Sequence, residues 1–497
     1  MKYALTAAMA GRVDRVTIEE MGLPSMVLME RAALCVAEKT AELAALLQRP
    51  AKIVAVCGCG NNGADGVAAA RILTWQGLPT ELLIVGNPDH ATKEFAEQKA
   101  IAERSGVKEI SLSEVESYDL IIDAVFGIGL NRPVEGEPAK LFERINAGKH
   151  AVIAVDIPSG VDATTGQLLG TALHADVTVT FGFHKQGMLL YPGRSYAGEV
   201  TVADIGFYPE AIRELNPAMY FTTADVGRLP KRLPEANKGT YGRVLVIAGS
   251  RDMSGAAYLS GGAAYRSGCG LVEIFTHDRN ADVIRKLLPE AIVTGYTEEN
   301  AISLLRERLP KAGVIILGPG LSRRDPAGDL VKTVFAEAEA PLIVDADALN
   351  IIAEWENFSY KGELILTPHI GEMERLSGLS KAEIVGDSVG TAKAYAKKTG
   401  AILVMKNAAT VVAEPKDRCR TYVNTSGTPA LAKGGSGDVL TGIIAGMLCL
   451  KLEPFSAAAM GVYLHGLCGE RAESRRGAHG VLASDLLAEI GELMAGR

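Results

Sequence analysis

From position 424 to position 442 the chain reads Asn-Thr-Ser-Gly-Thr-Pro-Ala-Leu-Ala-Lys-Gly-Gly-Ser-Gly-Asp-Val-Leu-Thr-Gly. Gly434, Gly435 and Gly437 free the backbone to present several N–H groups at one spot. The apolar run after Asp438 predicts a helix starting there, so its positive dipole end faces the same spot. Such a nest suits an anionic phosphate. A carboxylate beside phosphate repels it, so Asp438 asks for a chemical reason. Accepting a proton from a hydroxyl that attacks a phosphoryl group is one. The plainer alternative, in which Ser436 and Asp438 only cap a helix, requires neither the glycine density nor the flanking segment 424–427.

A second group of polar residues lies near the N-terminus. A predicted strand over 53–57 runs into Gly58-Cys-Gly60-Asn61-Asn62-Gly63-Ala64-Asp65-Gly66, ahead of a helix predicted over 67–76. Gly58, Gly60 and Gly63 match the dinucleotide fingerprint G-x-G-x-x-G. A dehydrogenase would also carry an acid at the end of the second strand, and residues 82–87 offer none before Asp89. Asn61, Asn62 and Asp65 exceed what a pyrophosphate needs and look like ligands for a cation or a ribose. Two more apolar runs end in polar clusters, at Asp123 ahead of Gly127 and at Asp156 ahead of Ser159. Each Asp alone is more commonly a turn or cap residue. Three strand ends in one block favour a site in the crevice at the carboxyl edge of a doubly wound sheet. Asn62, Asp123, Asp156 and Ser159 would converge there, a donor set suited to a hard cation.

The C-terminal half carries further candidates at strand ends: Lys238-Gly-x-x-Gly242, Ala248-Gly-Ser250 with Ser254-Gly-Ala256, Leu317-Gly-Pro-Gly320-Leu321, Asp345-Ala-Asp347-Ala-Leu-Asn350, Thr367-Pro-His369-x-Gly-Glu372, and Lys406-Asn-Ala-Ala-Thr410. His369 alone would be a packed or capping histidine, and Lys406 alone a solvated turn residue. Together with residues 434–438 they read as phosphate, nucleotide and substrate contacts.

The elements that position these groups alternate between strand and helix in two blocks. The first predicts strands over 53–57, 81–85, 120–124, 151–156, 177–181 and 200–204. Helices are predicted over 92–105 and 139–147, and an amphipathic segment carries Met26, Met29, Ala33 and Val36. The second predicts strands over 242–248, 271–275, 314–317, 341–344, 363–366, 402–405 and 410–413, with closing helices over 457–473 and 483–494. Buried β-rich runs separated by helices indicate α/β architecture with a parallel sheet covered on both faces. From 207 to 237 the period fades and prolines gather, which marks a linker. The expected domains are therefore 1–215 and 224–497.

Composition excludes other classes. A chain of 497 residues with 48% hydrophobic and 22% charged residues can bury large cores. A net charge of -8 and the lack of basic clusters argue against nucleic acid as a partner. Seven scattered cysteines do not form a disulfide framework, and a cytoplasmic setting fits best. The opening segment only imitates a signal peptide, since Arg12, Asp14 and Arg15 follow at once. The longest apolar run, 439–450, falls short of the ~20 residues a bilayer span needs, so no membrane association is expected.

At this point a resemblance becomes specific. Leu28-Met-Glu-Arg31, Gly60-Asn-Asn-Gly-x-Asp-Gly66, Asp123-Ala-x-Phe-Gly127 and Val155-Asp-Ile-Pro-Ser-Gly160 resemble the NAD(P)H-hydrate epimerase family across nearly the whole first block. The resemblance implies a Rossmann-like three-layer αβα domain in which Asn62, Asp123 and Ser159 bind K⁺. It also implies substrate contacts at Gly60, Asn61, Asn62, Gly63, Ala64, Gly127, Ile128, Gly129, Leu130, Asn131, Arg132, Pro133 and Asp156. Asp156 is the expected catalytic carboxylate. The family usually has Pro at 59 and Gly at 64, where this chain has Cys and Ala. Ala64 would place a Cβ where the loop is expected to need positive φ.

The second block resembles the ADP/ATP-dependent NAD(P)H-hydrate dehydratase family, which is ribokinase-like. This implies substrate contacts at Ala256, Gly320, His369 and Asp438, with Asp438 catalytic. Nucleotide contacts are implied at Lys406, Asn407, Ala408, Ala409, Thr410 and Gly437, with Mg²⁺ entering alongside ADP or ATP. The function implied is repair of NADH and NADPH hydrates: epimerisation of the R and S forms, then dehydration of S with release of AMP (or ADP) and phosphate. A homo-oligomer is expected. The alternative is a ribokinase-like small-alcohol kinase with a non-catalytic N-terminal binding module.

Overall fold

The computed structural model describes residues 1–112, 114–227 and 229–495. Two compact units result, one of residues 3–218 and one of residues 219–497 joined by Met1 and Lys2. The last two residues of the expected 224–497 block, together with Arg228, lie outside the described residues.

The N-terminal unit contains β1 (Lys2–Leu5), β2 (Ile53–Gly58), β3 (Thr80–Val85), β4 (Leu120–Ala124), β5 (Ala151–Val155), β6 (Val177–Phe181), β7 (His184–Lys185) and β8 (Glu199–Ala203). Six of them form a sheet in the order β3-β2-β4-β5-β6-β8, with every pair parallel. Alternate residues feed two cores, as a two-residue period demands. Val54, Val56 and Ile121 pack on Leu141, Phe142 and Ile145 of the helix Gly136–Asn146. Ile53, Ala55 and Ile122 pack on the helices Ser25–Ala45 and Asn61–Trp75. Helices thus cover both faces of the parallel sheet, which is the expected three-layer αβα architecture.

One helix differs from expectation. It starts at Asn61 rather than at 67, with Gly60 as its N-cap. Its first turns contain glycines that propensity disfavours, and packing explains them. A Cβ on Gly63 would stand 1.7 Å from the Gly58 carbonyl oxygen, and one on Gly66 would stand 2.4 Å from the Ala124 Cβ. Ala64 lies within this helix and is absent from the positive-φ residues, so the strain expected at position 64 does not arise.

The C-terminal unit contains β9 (Ala218–Tyr220), β10 (Arg243–Ile247), β11 (Leu271–His277), β12 (Ile292–Tyr296), β13 (Val314–Leu317), β14 (Leu342–Val344), β15 (Leu364–Leu366), β16 (Ile402–Met405), β17 (Val411–Ala413) and β18 (Thr421–Val423). Their order is β12-β11-β10-β13-β14-β15-β16-β17-β18-β9. The ladder is parallel from β12 to β16 and antiparallel through β17 and β18. Strands β9, β12 and β18 were not expected. β9 and β18 have three residues each, too few to show a period, and β9 falls in the stretch expected to be linker.

The apolar run 439–450 belongs to a helix, Ser436–Cys449, that is buried on nearly every side. It begins two residues before Asp438, which places that carboxyl in the first turn rather than at the cap. Small residues let its neighbours close in. A Cβ on Gly442 would meet the Ser260 carbonyl oxygen at 2.3 Å, on the helix Gly255–Arg266. One on Gly461, in the helix Pro454–Arg476, would meet Ile444 at 2.7 Å. Among the described residues no helix is long and apolar enough to cross a membrane. Because backbone faces Gly442, Gly442→Ala should destabilise the C-terminal unit by about 1–3 kcal/mol. Urea unfolding measures this, and an unchanged midpoint would show that the helix pair is not close-packed there.

Candidate active sites

In the N-terminal unit the carboxyl edge of the sheet opens into a cavity of about 740 Å³. Gly60, Asn61, Asn62, Asp65, Asp156 and residues 127–132 line it. Gly63, Ala64, Pro133, Asp123 and Ser159 do not. Asp123 and Ser159 form a buried layer of hydrogen bonds instead. Ser159 donates from N to Asp123 Oδ2 at 2.8 Å and from Oγ to Oδ1 at 2.5 Å. Burial raises the Asp123 carboxyl to about 6 against these hydrogen bonds. The backbone N–H of Phe126 donates to Ser159 Oγ at 2.8 Å, and the next residue, Gly127, is held against Asn62. A Cβ on Gly127 would stand 3.0 Å from Asn62 Oδ1. Asn62, Asp123 and Ser159 are thereby gathered around residues 126–127, and Asn62 Nδ2 is buried without a hydrogen-bond partner.

Asp156 follows β5 with φ of 66°, a left-handed backbone that turns the carboxylate to the cavity. Its Oδ1 accepts from Lys185 Nζ at 2.5 Å, from Phe181 N at 2.9 Å and from Thr180 Oγ1 at 3.1 Å. Lys185 is 3% exposed and also donates to the carbonyls of Phe181 and Phe183. Sequence reading missed Lys185, although a lysine following the apolar run of β6 was a usable signal. It also missed Asp14, which lines the same cavity from the helix Ala7–Arg15.

In the C-terminal unit, Gly435 takes φ of 90° as N-cap of the helix Ser436–Cys449, and no side chain caps that helix. Ser436 N makes only a long hydrogen bond, 3.4 Å, to the Lys433 carbonyl oxygen, and the N–H groups of Gly437 and Asp438 that follow face the helix start, where a ligand can take them. Gly437 has a specific reason to lack a side chain, since a Cβ there would lie 3.3 Å from Lys406 Nζ and 3.6 Å from Asp345 Oδ2. Lys406 is not the solvated turn residue its position suggests. Its ammonium reaches Asp345 Oδ1 at 2.6 Å and lies 4.0 Å from Glu372 Oε2. Thr367 Oγ1 completes the Asp345 shell at 2.7 Å. Burial, and then Asp345, push the Asp438 carboxyl up to about 6, while Lys406 pulls it down. Glu372 is raised to about 7 by burial. Asp345 and Glu372 sit in sequence motifs but were not among the expected contacts.

The other expected residues fall around this centre. A Cβ on Gly320 would touch the Ala256 Cβ at 2.9 Å, so the loop after β13 adjoins the first turn of the helix Gly255–Arg266. His369 caps the helix Ile370–Ser377: its Nδ1 accepts from Gly371 N at 2.9 Å, and Nε2 lies 3.4 Å from Glu372 Oε1. Burial and the nearby Lys406 lower its pKa, so a neutral ring with the proton on Nε2 satisfies this geometry. Lys406 to Thr410 form the β16–β17 connection, with Asn407 and Ala408 exposed and Ala409 and Thr410 buried. Within segment 424–427, Asn424 and Ser426 bond to each other. Asn424 Oδ1 accepts from Tyr422 and Ser426, and its Nδ2 donates to the Ser426 carbonyl, so the amide is committed to the turn.

Buried carboxylates at the carboxyl ends of parallel strands, with a glycine nest at a helix start, define an α/β enzyme that handles a phosphorylated ligand. Comparison with known proteins is narrower. A family model described as NAD(P)H-hydrate dehydratase matches residues 244–492, and one described as YjeF-related protein N-terminus matches residues 25–187. A bifunctional NAD(P)H-hydrate repair enzyme of Moorella thermoacetica is 37% identical over 98% of this chain and 95% of its own. Its Escherichia coli counterpart is 34% identical over 88% and 83%. The crystal structure of the ADP/ATP-dependent NAD(P)H-hydrate dehydratase of Bacillus subtilis, co-crystallised with ATP/Mg²⁺, is 36% identical with a TM-score of 0.51, covering 56% of this chain and 98% of that one. The chain belongs to the family of bifunctional NAD(P)H-hydrate repair enzymes.

The buried Lys185–Asp156 pair predicts a stability effect. Lys185→Met leaves a buried carboxylate without its counter-charge and should cost the N-terminal unit about 3–5 kcal/mol. Thermal unfolding tests this, and a shift of only a few tenths of a kcal/mol would contradict the pairing.

Proposed function

We propose that this chain repairs hydrated nicotinamide nucleotides at two sites. The N-terminal unit interconverts the R and S forms of the C6 hydrate of NADH or NADPH. The C-terminal unit dehydrates the S form at the expense of ADP or ATP. The observation that carries the reading is Asp438, a carboxyl in the first turn of an uncapped helix behind a glycine nest. Hydroxide is a poor leaving group, so the C6 hydroxyl needs activation. Asp438 takes its proton, the oxygen attacks the terminal phosphoryl group, and AMP (or ADP) departs. Phosphate then leaves C6, and loss of a C5 proton restores the dihydronicotinamide. The nest N–H groups and Lys406 hold the phosphoryl oxygens where charge develops. Mg²⁺ carried by the nucleotide would supply further charge neutralisation there.

Ala256, Gly320 and His369 line the hydrate subsite in this reading, and Asn407, Ala408, Ala409, Thr410 and Gly437 the nucleotide subsite. In the N-terminal unit the donor set fits K⁺: Asn62, Asp123 and Ser159 bring side-chain oxygens to the surroundings of residues 126–127. The cation would supply a fixed positive charge beside residues 127–133, the proposed substrate loop, with Asp156 the carboxylate that meets the C6 centre. A small-alcohol kinase with a non-catalytic N-terminal binding module would leave the carboxyl groups of the N-terminal cavity without a catalytic role. Seven free cysteines suit a reducing compartment such as the cytoplasm.

Asp438→Asn should lower dehydratase turnover by ~10²–10⁴-fold, followed as recovery of reduced-nicotinamide absorbance; near-normal turnover would remove the assigned role. The base must be ionised, and its folded pKa is raised to about 6. Turnover should therefore be full above that pH and decline as pH falls through about 6. A profile flat down to pH 5 would contradict the assignment.

A further inference from the structure

The three carboxyl groups of the N-terminal cavity are not equivalent. Asp156 is paired: Lys185, Thr180 and Phe181 hold its Oδ1. Asp65 and Asp14 line the same cavity and make no hydrogen bond or ion pair with any described residue. Asp65 stands one turn past Asn62 on the helix Asn61–Trp75. We propose that Asp65 is the proton donor of this site, working with Asp156 as proton acceptor. The inference rests on the epimerase reading and assigns the acid that the reaction needs.

The electrostatics agree with the geometry. Burial raises the Asp65 carboxyl well above its ordinary range, and Asp156 and then Asp14 add to the shift. The Cys57 thiol beneath is itself pushed up by burial, and the half-buried Cys59 thiol is raised as well, so both stay neutral and neither sets a charge against Asp65. Lys185 is spent on Asp156, while His90 and Arg132 sit at exposed positions of the wall. An unpartnered carboxyl beside one tied to a lysine ammonium supplies an acid and a base to the same cavity.

The chemistry balances. Asp65 gives its proton to the C6 hydroxyl, the C6–O bond breaks with its electron pair on the departing water, and the N1 lone pair forms an N1=C6 iminium. Water adds to either face of that planar carbon. Its proton passes to the Asp156 carboxylate, and the N1 lone pair is restored. One proton has moved from Asp65 to Asp156, and exchange with solvent resets the pair.

The test uses the full chain and chirally resolved hydrate. Asp65→Asn keeps the shape but cannot donate a proton. It should lower the epimerisation kcat by ~10²–10⁴-fold with KM for the hydrate within about threefold. The acid form is present below the raised pKa and is lost as pH rises through it. The wild-type rate should therefore fall on an alkaline limb that Asp65→Asn abolishes. Asp65→Glu should restore part of the rate and move that limb. Near-normal kcat with the limb in place would overturn the proposal, as would a rise in KM alone, which would make Asp65 a binding group. If Asp65→Asn does not fold, Asp65→Glu decides, and an unmoved limb overturns the proposal. Absence of epimerisation in the wild-type chain would instead remove the epimerase reading itself.

Discussion

A carboxylate withdrawn from water must find a counter-charge or keep its proton, and both sites are built around that constraint. In each unit one aspartate at the end of a parallel strand is tied to a lysine, buried in one case and mostly buried in the other: Asp156 to Lys185 after β5, and Asp345 to Lys406 after β14. A second carboxyl beside the pair, Asp65 or Asp438, is pushed up by burial and by the paired aspartate. The lysine holds the paired member in place, and its neighbour is left with a raised pKa. The two units have different sheet orders, so the repeated device reflects what the carboxyl edge of a parallel sheet allows rather than a shared topology.

Backbone geometry supports the electrostatics. The glycines around both sites serve close approach more than flexibility. Gly63 clears a carbonyl, Gly127 clears Asn62, and Gly437 clears the Lys406 ammonium. Only Gly435 among the nest glycines takes a left-handed φ. Helix Ser436–Cys449 can bring its N-terminus to the strand ends because Gly442 and Gly446 let it settle against the helix Gly255–Arg266. The packing and the phosphate nest are therefore one feature seen at two scales.

Much of this was legible in the sequence. Strand runs 120–124, 177–181, 314–317 and 402–405 match the observed strands because buried parallel strands leave continuous apolar stretches. The nest was legible because glycine density and an apolar run coincide. Helix starts were not: Asn61 opens a helix through residues that propensity assigns to a loop, since contact with Gly58 and Ala124 overrides propensity. Charge pairing was also hidden, because Lys185 and Lys406 find their partners 29 and 61 residues away. The hydrogen bonds of Asn424 to Tyr422 and Ser426 were hidden as well, since nothing in residue type or spacing marks them.

The central claim is that the nest ahead of Asp438 holds the nucleotide's terminal phosphate against that carboxyl. A crystal structure of the protein soaked with ADP tests it most directly. The β-phosphate should lie within hydrogen-bond distance of the N–H groups of residues 435–437, with the Asp438 carboxyl facing the same phosphorus. Nucleotide bound elsewhere, or phosphates turned away from residues 435–437, would contradict the account.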